Sequence, residues 1–364
     1  MENIDYKVIV HSITYNHSDY ITDTMDGFSK QKTTFPFICA IIDDASTDGE
    51  QNVIHDYIFK HFKNIEEFEY NYGGKKCADI IYAQHSENTN CYFIAILLLE
   101  NHYSQKKSLL KRVYVKEIVG EAEYEALCEG DDYWTDGNKL QEQVDFLDNN
   151  TDYSMCFHQA LEHYQNENRP DSIFSKIESR EYSDKEIFAN WIIPTASVVF
   201  RKHIVDSDFY HNIIKDQKFY FGDILVFLTC AHFGKIYGIS KVMSVYRRLD
   251  TGASQFQHKY NSCYKFAQHS YHIQEVFGKK HRIKSDRSTL YGFDLMAAKQ
   301  KNTIKGRCIL LKDFVSISPR LTFIWSYRTI LCRIKRLCKN ILYRYCSVFR
   351  NNKDYGDTEK YDHV

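Results

Sequence analysis

The chain has 364 residues, with 47 basic against 48 acidic side chains and a formal net charge of -1. That length supports a substantial core in one or two domains, and the balanced charge excludes a global basic footprint for nucleic acid. Four prolines beside 28 tyrosines and 24 phenylalanines exclude a disordered, Pro-rich scaffold.

The N-terminal Lys7-Val8-Ile9-Val10-His11-Ser12-Ile13 reads as a buried strand, and the polar loop Thr14-Tyr15-Asn16-His17 follows it. Ser18 is placed to cap a helix whose apolar face is Ile21, Met25 and Phe28. Residues 37–42 form the next strand, closed by the loop Asp43-Asp44-Ala45-Ser46-Thr47-Asp48-Gly49, and Val53, Tyr57 and Phe62 mark a second helix. This strand–helix–strand–helix rhythm predicts parallel pairing in an α/β sheet. Residues 63–90 are polar, with a turn at Gly73-Gly74-Lys75-Lys76 and no clear element. Residues 93–99 read as a further strand.

The apolar Ala126-Leu127-Cys128 leads into Glu129-Gly130-Asp131-Asp132-Tyr133-Trp134. Neighbouring aspartates repel unless a cation lies between them and their ligand. Two acidic pairs, each closing an apolar run, therefore point to a metal ion and an anionic ligand at the ends of strands. Leu140, Val144 and Leu147 share one helix face, 154–158 and 197–200 read as short strands, 224–233 as a helix and 236–246 as a strand. Gly222-Asp223 opens the 224–233 helix, where the aspartate would serve either as its N-cap or in the chemistry.

Beyond about residue 255 the pattern is helical and polar. His269-x-x-His272 reads as a surface pair. Residues 320–353 carry nine basic and no acidic side chains among Phe, Ile, Leu, Trp and Tyr, the pattern of a basic amphipathic helix suited to an anionic membrane surface or to packing on the rest of the chain. The eleven cysteines are scattered without Cys-x-x-Cys, which fits free thiols in a reducing compartment better than a disulfide framework or a zinc site. Neither a signal peptide nor a membrane-spanning run is read, so the expected location is cytoplasmic, with peripheral attachment to the inner membrane face through 320–353.

Taken in order, Thr14-Tyr15-Asn16, the Asp43–Gly49 loop and Glu129-Gly130-Asp131-Asp132-Tyr133-Trp134 resemble the nucleotide-sugar half of family 2 glycosyltransferases, which are inverting enzymes of bacterial surface-polysaccharide type. The resemblance covers residues 5–255. It implies a GT-A-like (Rossmann-like), mainly parallel α/β sheet flanked by helices over 1–255, and a helical basic appendage over 256–364. By the same resemblance Asp44, with Asp43 beside it, contacts the nucleotide base. Tyr15 stacks on the nucleoside with Asn16 in the same loop, and Asp131 lies at the ribose or near the metal. Asp132 ligates Mg²⁺ or Mn²⁺, and Asp223 is the general base. The family often has Asp where Glu129 stands. Val242-Met243-Ser244-Val245-Tyr246-Arg247-Arg248 resembles its last strand, with Arg247 or Arg248 set to neutralise the leaving group. Where many members carry His-Gly, this chain has Leu249-Asp250-Thr251-Gly252.

The implied reaction moves a sugar from a nucleotide-sugar, UDP-linked by the same analogy, to a hydroxyl of a glycan or lipid-linked glycan. Two other readings stay open at this level. One is a non-catalytic nucleotide-sugar-binding or membrane-docked protein, and the other is a sugar nucleotidyltransferase. The latter is disfavoured because its Gly-rich basic N-terminal loop is missing.

Overall fold

A computed structural model describes residues 4–249, 259–301 and 303–351. Two compact units emerge, one of residues 1–255 with 274–284 and the other of 256–273 with 285–364.

The first unit is built on one twelve-stranded sheet. Its centre holds β1 (Val8–Thr14), β2 (Phe37–Asp43), β5 (Cys91–Leu98) and β6 (Tyr124–Leu127), all parallel and largely buried on both faces. Strands buried on both sides read as continuous apolar runs rather than alternating ones, which is why these segments were visible in the sequence. The intervening helices are α1 (Ile21–Ser29), α2 (Glu50–His61) and α3 (Leu110–Val119). Successive strand residues point to opposite faces. Val8 and Val10 therefore meet the α1–α2 side, with Met25, Phe28 and Ile54, while Ile9 meets α3 through Tyr114 and Val115.

The polar stretch 63–90 is a hairpin of β3 (Phe62–Tyr72) and β4 (Lys75–His85), turned at Gly73 and Gly74, both in the left-handed region with φ 60° and 79°. Phe62 begins this edge strand instead of ending α2. Most β3 side chains face solvent, so no apolar rhythm marks it.

On the other flank follow β7 (Tyr133–Trp134), α4 (Lys139–Asn149), β8 (Tyr153–Tyr164), β9 (Ser172–Ile173), β10 (Arg180–Tyr182), α5 (Asp184–Asn190) and β11 (Val199–Arg201). Then come α6 (Asp208–Ile214), α7 (Gly222–Phe233) and β12 (Lys235–Arg248). The strand order is β10-β12-β8-β11-β6-β1-β2-β5-β4-β3, with β12 parallel to β8 and both antiparallel to β11. The carboxyl ends of β2, β1, β6 and β12 therefore share one edge of the sheet.

The second unit is helical, with α9 (Arg282–Lys299), α10 (Ile304–Ile317), α11 (Pro319–Asn351) and most of α8 (Tyr260–Val276). Cys263, Ala267, Phe293, Met296, Phe314, Ile317 and Leu321 form its core, with the Phe293 and Phe314 rings stacked 3.9 Å apart. His269 and His272 are buried in α8, contrary to the surface position expected of an i, i+3 pair on a polar helix. Among the described residues no helix is long and apolar enough to cross a membrane.

Candidate active site

Three loops meet at the common sheet edge. Hydrogen bonds with short polar side chains fix them to one another. Asn16, at φ 57°, donates its N–H to Ser46 Oγ at 2.9 Å, and its Oδ1 accepts from the Thr47 N–H at 2.8 Å. Glu50, fully buried, accepts from the Thr14 hydroxyl, the His17 N–H at 2.9 Å and the Ser46 hydroxyl at 2.8 Å. Burial raises its carboxyl and these donors oppose the rise. The β1 and β2 loops are thus tied together by a residue that in sequence reads only as favourable charge at a helix start.

The acidic loop closes on this pair. Gly130 donates its N–H to the Ile13 carbonyl at 3.0 Å, and a Cβ there would sit 2.1 Å from Thr14 Oγ1. Only glycine lets the loop approach β1 so closely. From below, the Thr24 hydroxyl reaches the carbonyls of Gly130 and Asp132 at 2.9 and 2.6 Å. Ser18, expected as the α1 cap, instead donates its N–H to Asp48 Oδ2 at 2.9 Å, and the cap position falls on Tyr20.

Each expected site residue can be located within this frame. Tyr15 is 43% exposed at the rim. Asn16 is exposed, and its Oδ1 accepts from Thr47, which ties the β1 loop to the β2 loop. Asp44 is buried and saturated. It accepts from the N–H groups of His102 at 2.8 Å and Tyr103 at 3.1 Å, and pairs with the buried Lys111 Nζ at 2.9 Å. Asp43 keeps an oxygen available: Oδ1 accepts from the Ser46 N–H and Gln51 Nε2, while the buried Oδ2 has no partner. Within this loop it is Asp43, and not Asp44, that has a carboxylate oxygen without a partner in the protein.

Asp132 Oδ1 accepts from the Arg247 N–H at 2.8 Å, and its Oδ2 is buried without a partner. Asp131 Oδ2 lies 3.8 Å from His17 Nε2, and its Oδ1 is likewise unpartnered. The Arg247 guanidinium is already engaged. It pairs with Asp23 at 2.8 Å and lies 4.6 and 5.1 Å from the Tyr20 and Tyr133 ring centroids, leaving buried Nε without a partner. Arg248 pairs with Glu162 at 2.5 Å. Both arginines thus have partners within the protein, and it is the Arg247 backbone that touches the acidic motif. Leu249 is described, whereas Asp250, Thr251 and Gly252 of the altered loop lie outside the described residues.

Asp223 lies in the first turn of α7, and Phe221 holds the cap position, so it is not the N-cap. One of its oxygens accepts from the Ile224 N–H at 2.8 Å. Its carboxyl is pushed up to about 6 by desolvation, and its charge acts on Glu129. Glu129 itself is exposed to solvent. Desolvation first, then Asp131 and Asp223, push it up to about 8. Asp131 is raised by desolvation, and Asp132 well above the usual range by desolvation, Asp131 and Glu129. Asp223 is thus near enough to the acidic loop for its charge to act there.

Among the described residues no three His, Cys, Asp or Glu side chains form a complete metal cage. Two orphaned carboxylate oxygens, on Asp131 and Asp132, still fit a hard divalent cation that takes its remaining ligands from a phosphorylated substrate.

No family model matches the chain. Uncharacterized proteins of Mycobacterium bovis and Mycobacterium tuberculosis are 31% identical to it over 240 residues, 65% of this chain and 57% of theirs. The match thus spans little more than half the length of these curated relatives. Among solved structures, residues 1–349 of S. aureus TarS in complex with UDP align with a TM-score of 0.52 and 17% identity, covering 98% of this chain and 94% of that one. The same protein in complex with UDP-GlcNAc gives 0.51 at 16%, covering 86% and 82%. The chain has the GT-A fold. The carboxyl ends of β2 and β6 bring Asp43, Asp131 and Asp132 to one edge of that sheet.

Proposed function

We propose that residues 1–255 form a glycosyltransferase domain that moves a sugar, with inversion, from a nucleotide-sugar to an acceptor hydroxyl. The observation that carries this reading is that three unpartnered carboxylate oxygens, Asp43 Oδ2, Asp131 Oδ1 and Asp132 Oδ2, lie at one edge of a GT-A sheet, with Asp223 near enough for its charge to act on the adjoining Glu129. Asp43 accepts from the base N–H, Tyr15 stacks on the nucleoside, and Asn16 and Glu50 hold both loops in place. Asp131 and Asp132 would hold Mg²⁺ or Mn²⁺, which when bound offsets the negative charge of a departing diphosphate. Asp223 takes the acceptor proton as its oxygen bonds to the anomeric carbon and the bond to the diphosphate breaks. UDP as the nucleotide is supported by the liganded TarS structures alone.

The acceptor we favour is a glycan, carried on a lipid at an anionic membrane surface. Support comes from α11, which carries Phe323, Tyr327, Ile330 and Ile334 exposed at spacings of four, three and four, within a stretch lacking acidic residues.

The test is hydrolysis of UDP-, GDP- and dTDP-sugars with Mn²⁺ or Mg²⁺ and no acceptor. The expected result is metal-dependent release of one nucleoside diphosphate by the intact protein and none by Asp132→Ala. Asp223→Asn should still bind the donor while losing about 10²–10⁴-fold in transfer. Binding without turnover would favour the non-catalytic reading, and neither binding nor turnover would remove the transferase assignment.

A further inference from the structure

The chain just before the candidate base carries aromatic surface for which the donor half of the site has no use. Trp191 follows α5 with φ 46° and ψ 57°, and its side chain is 46% exposed. A bulky residue in the left-handed region is uncommon, and its backbone strain persists only where the surroundings hold it. Ile187, Ile193, Ile224 and Phe227 form an apolar backing beneath it. Its ring meets Phe221 edge-on at 5.6 Å, and Phe221 meets Tyr220 at 4.8 Å. Tyr220 in turn lies near enough to Tyr103 to act on its hydroxyl, and Tyr103 is 66% exposed with its N–H held by Asp44. A line of four rings therefore runs from the donor-side loop after β5 to the residue two before Asp223.

If these rings served only to close the core, the largest of them would be covered and its backbone relaxed. Instead nearly half of Trp191 faces solvent from a strained position, and two tyrosine hydroxyls accompany it. Such a surface suits a ligand with an apolar face and a polar edge. A pyranose ring is one, with C–H groups on a face and hydroxyls around its rim.

Resting on the transferase reading above, we infer that Trp191, with Phe221, Tyr220 and Tyr103, is the acceptor platform and binds a saccharide ring stacked beside Asp223. The stacked ring presents one hydroxyl to the Asp223 carboxylate, while Tyr103 and Tyr220 engage others. The acceptor is then a sugar hydroxyl, and not that of a peptide side chain or of a bare lipid alcohol.

The experiment measures nucleoside diphosphate release, and quenching of tryptophan fluorescence, against a panel of methyl pyranosides and short oligosaccharides. The expected result is that at least one saccharide accelerates release by the intact protein. Trp191→Ala should raise the KM for that saccharide at least ten-fold while the donor KM moves less than two-fold, and Trp191→Phe should restore most of the loss. An unaltered saccharide KM in Trp191→Ala, or no acceleration by any saccharide in a protein that hydrolyses donor, overturns the platform. A protein that hydrolyses and binds no nucleotide-sugar removes the transferase reading instead. Fluorescence then decides separately: quenching by saccharides that vanishes in Trp191→Phe supports the platform, and no quenching overturns it.

Discussion

Asp223 shows how much of a residue's role comes from its setting. An aspartate two residues into a helix would ordinarily be fully ionised well below neutrality, but desolvation raises this one to about 6. The base works only when ionised, so its working fraction falls as pH drops through that value. The expected kcat/KM for transfer is flat above about pH 6.5 and declines about tenfold per unit below about 6. A pH–rate profile from 4.5 to 8 checks this, and a flat profile down to 4.5 would dismiss Asp223 as the base. The sequence disclosed that an acidic residue stands here, but not which way it faces. Likewise it could not rank Asp43 above Asp44. The donors that saturate Asp44, on His102, Tyr103 and Lys111, lie some sixty residues away in the chain.

Elements were legible wherever burial imposed a pattern. β1 opens on an apolar run, β2 is one up to Asp43, and α7 is apolar over Ile224–Leu228, so each was visible without context. β3 is not legible because an exposed edge strand has no apolar rhythm, and β8 reads only over 154–158, short of its end at Tyr164, because its last residues are half-buried and polar. For α11 the sequence and the structure meet at a testable point. Leu321 and Thr322 are buried against its own unit, while Phe323 (74% exposed), Tyr327, Ile330 and Ile334 form a stripe on the other side. Arg320 and Arg328 pair with Asp286 and Asp294, leaving the lysines farther along, at 335 and 339, exposed. An apolar stripe flanked by cations binds anionic vesicles, each cation near the surface contributing about 1 kcal/mol. In flotation assays the full chain should bind phosphatidylglycerol vesicles, release them in 0.5 M salt and ignore phosphatidylcholine. Ile330→Glu with Ile334→Glu should weaken binding at least ten-fold. Equal binding to both lipids would exclude the electrostatic part, and no loss in the double variant would exclude the stripe.

At the scale of the whole molecule the acidic edge stands against the rest of the fold. The loop after β6 holds Glu129, Asp131 and Asp132 together; desolvation raises all three carboxyls, and repulsion from Asp131 adds to the rise at Glu129 and Asp132. A carboxyl raised in the folded state binds more protons there than in the unfolded chain. Stability therefore falls as pH climbs from the ordinary glutamate value of 4.5 through about 8. A cation that binds only the folded state reverses this, contributing about 2.7 kcal/mol at a hundredfold excess over its Kd. For a domain of this size each kcal/mol shifts Tm by about 2–4 °C. Mn²⁺ or Mg²⁺ should thus raise Tm by several degrees at pH 8 and by less at pH 5.5, where protonation has already relieved the repulsion. Asp132→Asn should melt higher than the native chain without metal, and should lose most of the metal-induced rise. Differential scanning fluorimetry at both pH values reads all of these. A native chain whose Tm ignores both ions, or an Asp132→Asn variant that melts lower in their absence, would mean that the fold carries this acid edge for some purpose other than holding a cation.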